Sequence, residues 1–173
     1  MADHPTLPSR PTYRILFVCL GNICRSPTAE GVMRHMLRDA GLENDVDVES
    51  AGTGGWHIGH PPDERATSAA KRRGIALESR AQRFIADHFD DFDLILAMDR
   101  QNLADLQAIA PPPAERRAEV RLFSEFLPPG APPDVPDPYY GGDAGFERVL
   151  DLVERGCEAI VDHLLGAESA RRG

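Results

Sequence analysis

The feature that most limits what this chain can become is a junction of eight residues, Cys19-Leu20-Gly21-Asn22-Ile23-Cys24-Arg25-Ser26, between an apolar run and a helical stripe. The run before it, Arg14-Ile15-Leu16-Phe17-Val18, is short, carries β-branched residues and meets a Gly-containing turn at once, as a buried strand does. Ser26-Pro27 suits a helix N-cap and first helical position. Ala29, Val32, Met33, Met36, Leu37 and Ala40 then recur at helical spacing until Gly41 stops the pattern. Strand, tight loop, helix is the unit from which parallel sheets are wound, so the junction already favours an α/β fold.

The rest of the chain repeats the alternation. Val46-Asp47-Val48-Glu49-Ser50 alternates like a second strand, and Pro61 to Arg73 reads as an Ala-bearing helix stopped by Gly74. The apolar run Asp93 to Met98 predicts a third strand, followed by a helix from Asp99 to about Ala110 that Pro111-Pro112-Pro113 ends. Val120 to Phe123 predicts a fourth. Between Leu127 and Asp143 the chain is Pro- and Gly-rich without periodicity, a long loop of the kind that carries function. Phe146, Val149, Leu150, Val153, Cys157, Ile160, Val161 and Leu164 make one stripe of a last helix, with Cys157 in the core. The expectation is a three-layer α/β domain over 13–167, a four-stranded parallel sheet flanked by helices with the loop after the first strand at its carboxyl edge. Residues 1–12 hold three prolines and no hydrophobic core of a signal peptide, and read as a mobile leader; 168–173 read as a frayed tail.

Composition narrows the function classes. Three cysteines among 173 residues do not suggest a disulfide framework and fit a reducing cytoplasm. No apolar run approaches the roughly 20 residues that span a bilayer, so no membrane role is expected. With a net charge of −9 and no basic stripe, nucleic acid is an unfavourable partner. A chain this acidic needs a locally positive pocket to hold an anion, and the eight-residue junction supplies one. It ends at a helix amino terminus, where free N–H groups and the positive dipole end favour anions. Gly21 and Asn22 tolerate left-handed backbone, so the amides of Leu20 to Cys24 can curl inward into a nest. Arg25 offers a planar fork of donors to two phosphate oxygens, and Cys19 lies at the loop mouth as the thiolate nucleophile. Together these groups predict attack on phosphorus with a phosphocysteine intermediate. A nucleotide-binding reading lacks G-x-x-x-x-G-K-[ST], and a dinucleotide reading lacks G-x-G-x-x-G.

Cys19-Leu-Gly-Asn-Ile-Cys-Arg-Ser-Pro-Thr-Ala-Glu30 resembles the active-site loop of the low-molecular-weight protein tyrosine phosphatases, and Asp137-Pro138-Tyr139-Tyr140 resembles the general-acid loop of that family. The resemblance takes in Ser50-Ala51-Gly52-Thr53 and Met98-Asp99, and spans Tyr13 to Leu165. It implies a four-stranded parallel sheet flanked by helices, no metal or organic cofactor, and tyrosine-phosphorylated proteins as partners, a bacterial tyrosine kinase or a host protein among them. It implies Asp137 as the acid that protonates the bridging oxygen, although Asp-Pro alone is a common turn starter. Asn22 and Ser26 brace the loop by the same resemblance, Ser26 otherwise being an ordinary N-cap. Ser50 and Asp99 support it, Asp99 reading equally as the N-cap of its helix. Trp56 in its Gly-rich loop and Tyr139 with Tyr140 are expected to wall the cleft; His57 and His60 do not make a metal pair, since no Cys or Asp flanks them. Many relatives tether the loop with a His where Ser79 stands here. Cys24, five residues from Cys19, is either a reversible disulfide partner or a half-buried thiol. A monomer is the default expectation.

Three rivals stay in view. Arsenate reductases of this fold need two further cysteines near the third strand, and only Cys157 remains. Phosphoarginine phosphatases carry a small polar residue where Ile23 stands, and a branched apolar residue suits an aryl phosphate better. A non-catalytic phosphotyrosine-binding module would need neither Cys19 nor Asp137.

Overall fold

The computed structural model describes residues 13–172, with side chains described for 13–167. The leader expectation for 1–12 therefore lies outside the described residues, and the tail expectation falls on residues whose side chains do.

Four short strands, β1 (Tyr13–Cys19), β2 (Val46–Gly52), β3 (Leu94–Ala97) and β4 (Glu119–Leu122), form one parallel sheet in the order β2-β1-β3-β4. The helices are α1 (Arg25–Asp39), α2 (Glu64–Arg72), the single turn α3 (His88–Asp91), α4 (Arg100–Ile109) and α5 (Asp143–Arg172). Period-2 alternation splits each central strand between two cores. Ile15, Phe17 and Cys19 face α1, α2 and α5, whereas Leu16 and Val18 face Phe84, Phe89 and Leu106 on the side of α3 and α4. Each of these strand residues is at most 2% exposed, which is why the runs read as continuously apolar. On the larger side Phe123 meets Phe17 edge to face with centroids 6.1 Å apart. The Phe123 ring also takes the space a Cβ would need at Gly156, so α5 closes on the sheet only with glycine there.

Several boundaries differ from expectation. Cys24, not Ser26, occupies the N-cap position of α1, and it makes no side-chain cap. Ser26 is the second residue of the helix, because the loop's own backbone already turns into α1. The helix predicted from Pro61 begins at Glu64, where the Asp63 carboxylate accepts from Arg65 N at 2.8 Å. Asp99 caps α4 by accepting from Asn102 N at 2.7 Å. The single turn α3 carries no sequence periodicity, and α5 runs to Arg172, past the tail boundary at 167.

What the topology does for the site is simple. β1 connects through α1 to β2 on one side, and its other neighbour is β3, so the sheet reverses its winding at the carboxyl end of β1. That end is Cys19, and the crevice a switch point leaves opens over it.

Candidate active site

The loop from Cys19 to Arg25 is held by backbone bonds from two neighbours. Thr53 N donates to Cys19 O and Gly54 N to Leu20 O, both at 2.9 Å, and Asp63 N donates to Ile23 O at 2.8 Å. With these carbonyls taken, the loop curls around the sulfur, and Asn22 N donates to Cys19 Sγ at 3.3 Å. Asn22 stands in left-handed backbone, at φ 56°.

The Asn22 side chain is the hub that fixes that strained conformation. Its Oδ1 accepts from Gln82 N at 2.9 Å, so its Nδ2 must face the two hydroxyls, Ser26 Oγ at 2.8 Å and Ser50 Oγ at 2.9 Å. Ser26 Oγ, already an acceptor, lies 3.0 Å from Cys19 Sγ, close enough to donate to a thiolate there. Ser50 Oγ in turn donates to Glu30 Oε1 at 3.3 Å. Asn22, Ser26 and Ser50 are each at most 2% exposed, which makes a broken link in this chain costly. Glu30 terminates it as a buried carboxyl whose pKa burial pushes up to about 7, against the opposing pull of Arg34 and of the Ser50 hydrogen bond.

Arg25 joins this loop to the long Pro-rich one. Its Nη1 donates to Asp99 Oδ2 at 2.5 Å and to Val135 O at 3.1 Å, and its Nη2 lies 3.7 Å from Asp137 Oδ2. Burial opposes the charge, but Cys19, Asp99 and Asp137 hold its pKa above the ordinary arginine value. Asp137 is placed by its own turn, since its Oδ1 accepts from Tyr139 N at 3.1 Å. Arg65 then ties the loop down by donating to Tyr139 O at 3.0 Å while its guanidinium lies over the Phe146 ring.

These elements enclose a cleft of about 380 Å³ with Cys19 and Arg25 at its floor. Ile23, Trp56, Tyr139 and Tyr140 wall it, with Asp137 and Cys24 also lining it. Burial is the largest cause that pushes the Cys24 thiol up to about 12, with Asp63, Cys19 and Asp137 adding to it. All three cysteines are free, and among the described residues no group of three or more His, Cys, Asp or Glu could hold a metal.

Ser79 is not where the resemblance put the tether. It makes no hydrogen bond to the loop and lines a separate polar cavity behind it, with Glu30 and Arg34. The tether is Gln82, three residues on, whose N–H reaches Asn22 and whose Nε2 donates to Ser50 O at 2.9 Å. The physical reason is that this segment pairs with β2: Gly52 N donates to Gln82 O at 2.8 Å, and Phe84 N to Gly52 O at 2.7 Å. A main-chain donor carries no sequence signal. Glu30 and His57 were missed as well. Glu30, four residues after Ser26 on one helix face, was a readable clue to a shared polar network. His57 lines the cleft 6.4 Å from the Tyr139 ring, and only the fold places it there.

Comparison with known proteins agrees with this geometry. Residues 14–170 match the family described as low molecular weight phosphotyrosine protein phosphatase. A low molecular weight protein-tyrosine-phosphatase from Streptomyces coelicolor is 46% identical over 145 residues, 83% of this chain and 88% of that protein. A protein tyrosine phosphatase from Entamoeba histolytica superposes with a TM-score of 0.84 at 36% identity, covering 90% of this chain and 99% of the other. An arginine phosphatase from drosophila superposes with a TM-score of 0.80 at 30% identity, over 87% of this chain and 96% of that one.

Proposed function

The chain belongs to the low molecular weight phosphotyrosine protein phosphatase family of cysteine-dependent hydrolases, and from that premise we propose that it dephosphorylates tyrosine side chains of proteins through a phosphocysteine on Cys19. The observation that carries the reading is the convergence on Arg25. That guanidinium is fixed by Asp99, belongs to the loop that surrounds the Cys19 sulfur, and has Asp137 at 3.7 Å on its other nitrogen.

In this reading the Cys19 thiolate attacks phosphorus while the loop amides and the Arg25 fork hold the equatorial oxygens. The P–O bond to the ring oxygen breaks as Asp137 delivers a proton to it, so a phenol leaves rather than a phenolate. Water then attacks the phosphocysteine, giving its proton to Asp137, and phosphate leaves as the thiolate re-forms with the Ser26 hydroxyl donating to it. The balance is one aryl phosphate and one water to one phenol and one phosphate. Ile23, Trp56 and the two tyrosines supply an apolar wall for an aromatic ring, which favours an aryl over a guanidino phosphate. The Cys19→Ser variant, assayed with a phosphotyrosine peptide, is expected to bind vanadate yet lose at least about 10⁴-fold in kcat. Turnover at the wild-type rate would remove Cys19 from the mechanism.

Two finer readings accompany this one. A peroxide would oxidise the Cys19 thiolate to a sulfenic acid, and attack by Cys24 with loss of water would close a disulfide that shields the nucleophile. Three free cysteines support a reducing compartment, which we take to be the cytoplasm, with the protein acting as a monomer. No helix among the described residues is long and apolar enough to cross a membrane.

A further inference from the structure

Trp56 has a cavity on each side. One is the catalytic cleft; the other is a depression of about 300 Å³ bounded by Leu20, Thr53, Arg83, Leu106 and Ile109. Leu20 and Trp56 line both, so the two adjoin at the indole. The indole takes the space a Cβ would need at Gly54, and only glycine there lets it stand as the partition.

Three properties of the second depression call for a ligand. Leu20, Trp56 and Ile109 are 42%, 71% and 58% exposed, and all three border this one cavity rather than being scattered over the surface. Thr53 Oγ1 is buried at its wall without a hydrogen-bond partner among the described residues. The Arg83 guanidinium, at its rim, makes no ion pair or hydrogen bond among the described residues, whereas most arginines around the sheet are paired with carboxylates. The cavity's carboxylate, Asp105, instead accepts from Gln101 Nε2 at 3.0 Å.

We propose that this depression is a docking subsite for the residues flanking phosphotyrosine in a protein substrate, taking an aliphatic side chain between Leu20, Trp56 and Ile109 and a carboxylate at Arg83. It rests on the phosphotyrosine reading of the cleft. Adjacency to that cleft decides the occupant: a chain whose phosphorylated ring enters beside Trp56 has its next residues within reach of the far side of the indole. The apolar rim selects an aliphatic neighbour, and the unpaired guanidinium selects an acidic one. In a protein of net charge −9, a free Arg83 beside the cleft is what makes an acidic peptide acceptable there.

The test compares two phosphotyrosine peptides on one enzyme, with Glu-Leu and Leu-Glu or with Lys-Ser and Ser-Lys on the two sides of the phosphotyrosine. The wild type is expected to favour the acidic aliphatic peptide by about tenfold in kcat/KM, carried by KM. Arg83→Glu should cut that ratio about fivefold, and Ile109→Ser about threefold. Both side chains are exposed, and a ratio taken on one preparation is insensitive to how much of it has folded. Equal kcat/KM for the two peptides, or a ratio that neither variant moves, overturns the subsite and leaves the cleft reading standing. Failure of the wild type to hydrolyse either peptide overturns both.

Discussion

The two loops that meet over Arg25 are built in opposite ways. The one after β1 is buried, and Asn22, Ser26 and Ser50 each have their polar atoms spoken for by a named neighbour. The one carrying Asp137 lies open: the Asp137 side chain is 42% exposed and Tyr140 94%, and although Arg100 holds Asp134 and Arg25 reaches Val135 O, the stretch from Asp137 to Tyr140 is tied down mainly by the Arg65 contacts. The difference fits the roles proposed for each. Donors that stabilise charge at phosphorus act only if oriented before the reaction, which demands a rigid, dehydrated shell. An acid that later accepts a proton from water needs access to solvent, and it contributes only while a leaving group is present.

Mutations can break or sharpen that contrast. The largest effect expected here is at the open loop. Asp137→Ala should lower kcat by about 10²–10³-fold for an alkyl-substituted phenyl phosphate and far less for a nitrophenyl phosphate, whose leaving group needs no proton. Equal losses across a leaving-group series would show that Asp137 is not the acid. At the buried loop, Asn22→Ala removes the hub and puts a Cβ residue without a local amide at φ 56°. A loss of about 2–3 kcal/mol in denaturant unfolding is expected, with about 10–100-fold in kcat/KM as the amides lose their aim. Intact turnover would mean that the backbone bonds alone order the loop.

A third prediction concerns the far end of the chain of hydroxyls. The Glu30 carboxyl has an ordinary value of 4.5 and is pushed up to about 7 by burial. Between those values the folded protein keeps a proton that the unfolded chain has lost, so stability falls as pH rises through that window and is unaffected below it. Glu30→Gln carries no such proton. Its unfolding free energy should match wild type near about pH 4 and exceed it near about pH 8 by on the order of 3 kcal/mol. A gap that does not widen with pH would place the titration elsewhere. The smallest effect separates two candidate tethers: Ser79→Ala should change stability by less than about 0.5 kcal/mol, and Gln82→Ala, which frees Ser50 O, should lose about 1 kcal/mol and slow turnover. The reverse order would restore Ser79 as the brace.

Much of this was legible in the chain because it depends on short-range patterns. Apolar runs buried on both faces, helical stripes ended by glycines such as Gly41 and Gly74, and the loop between β1 and α1 all announce themselves over fewer than about twenty residues. Cys19 and Arg25 stood out as candidates from residue type and order, Asp137 only from the resemblance of its loop. Where a side chain acts through a partner far along the chain, no such signal exists. Gln82 reaches Asn22 across 60 positions through its main-chain N–H, a donor every residue but proline possesses. Ser26 looked like a cap because its neighbourhood resembles one; the curled loop gave that position to Cys24 and turned the hydroxyl toward the thiol.

The sequence by itself therefore determined the α/β architecture, the loop between β1 and α1 proposed to hold phosphate, and the chemistry its residue types permit, since these follow from periodicity, glycine placement and the functional groups in order. Only the tertiary structure decided which donor braces the loop, that Glu30 ends the hydroxyl chain in a buried carboxyl, that Arg25 bridges Asp99 to Asp137, and that Trp56 divides two adjoining cavities. Those outcomes depend on the register with which distant segments pair and on which side chains that pairing removes from water, quantities that no local stretch of residues specifies.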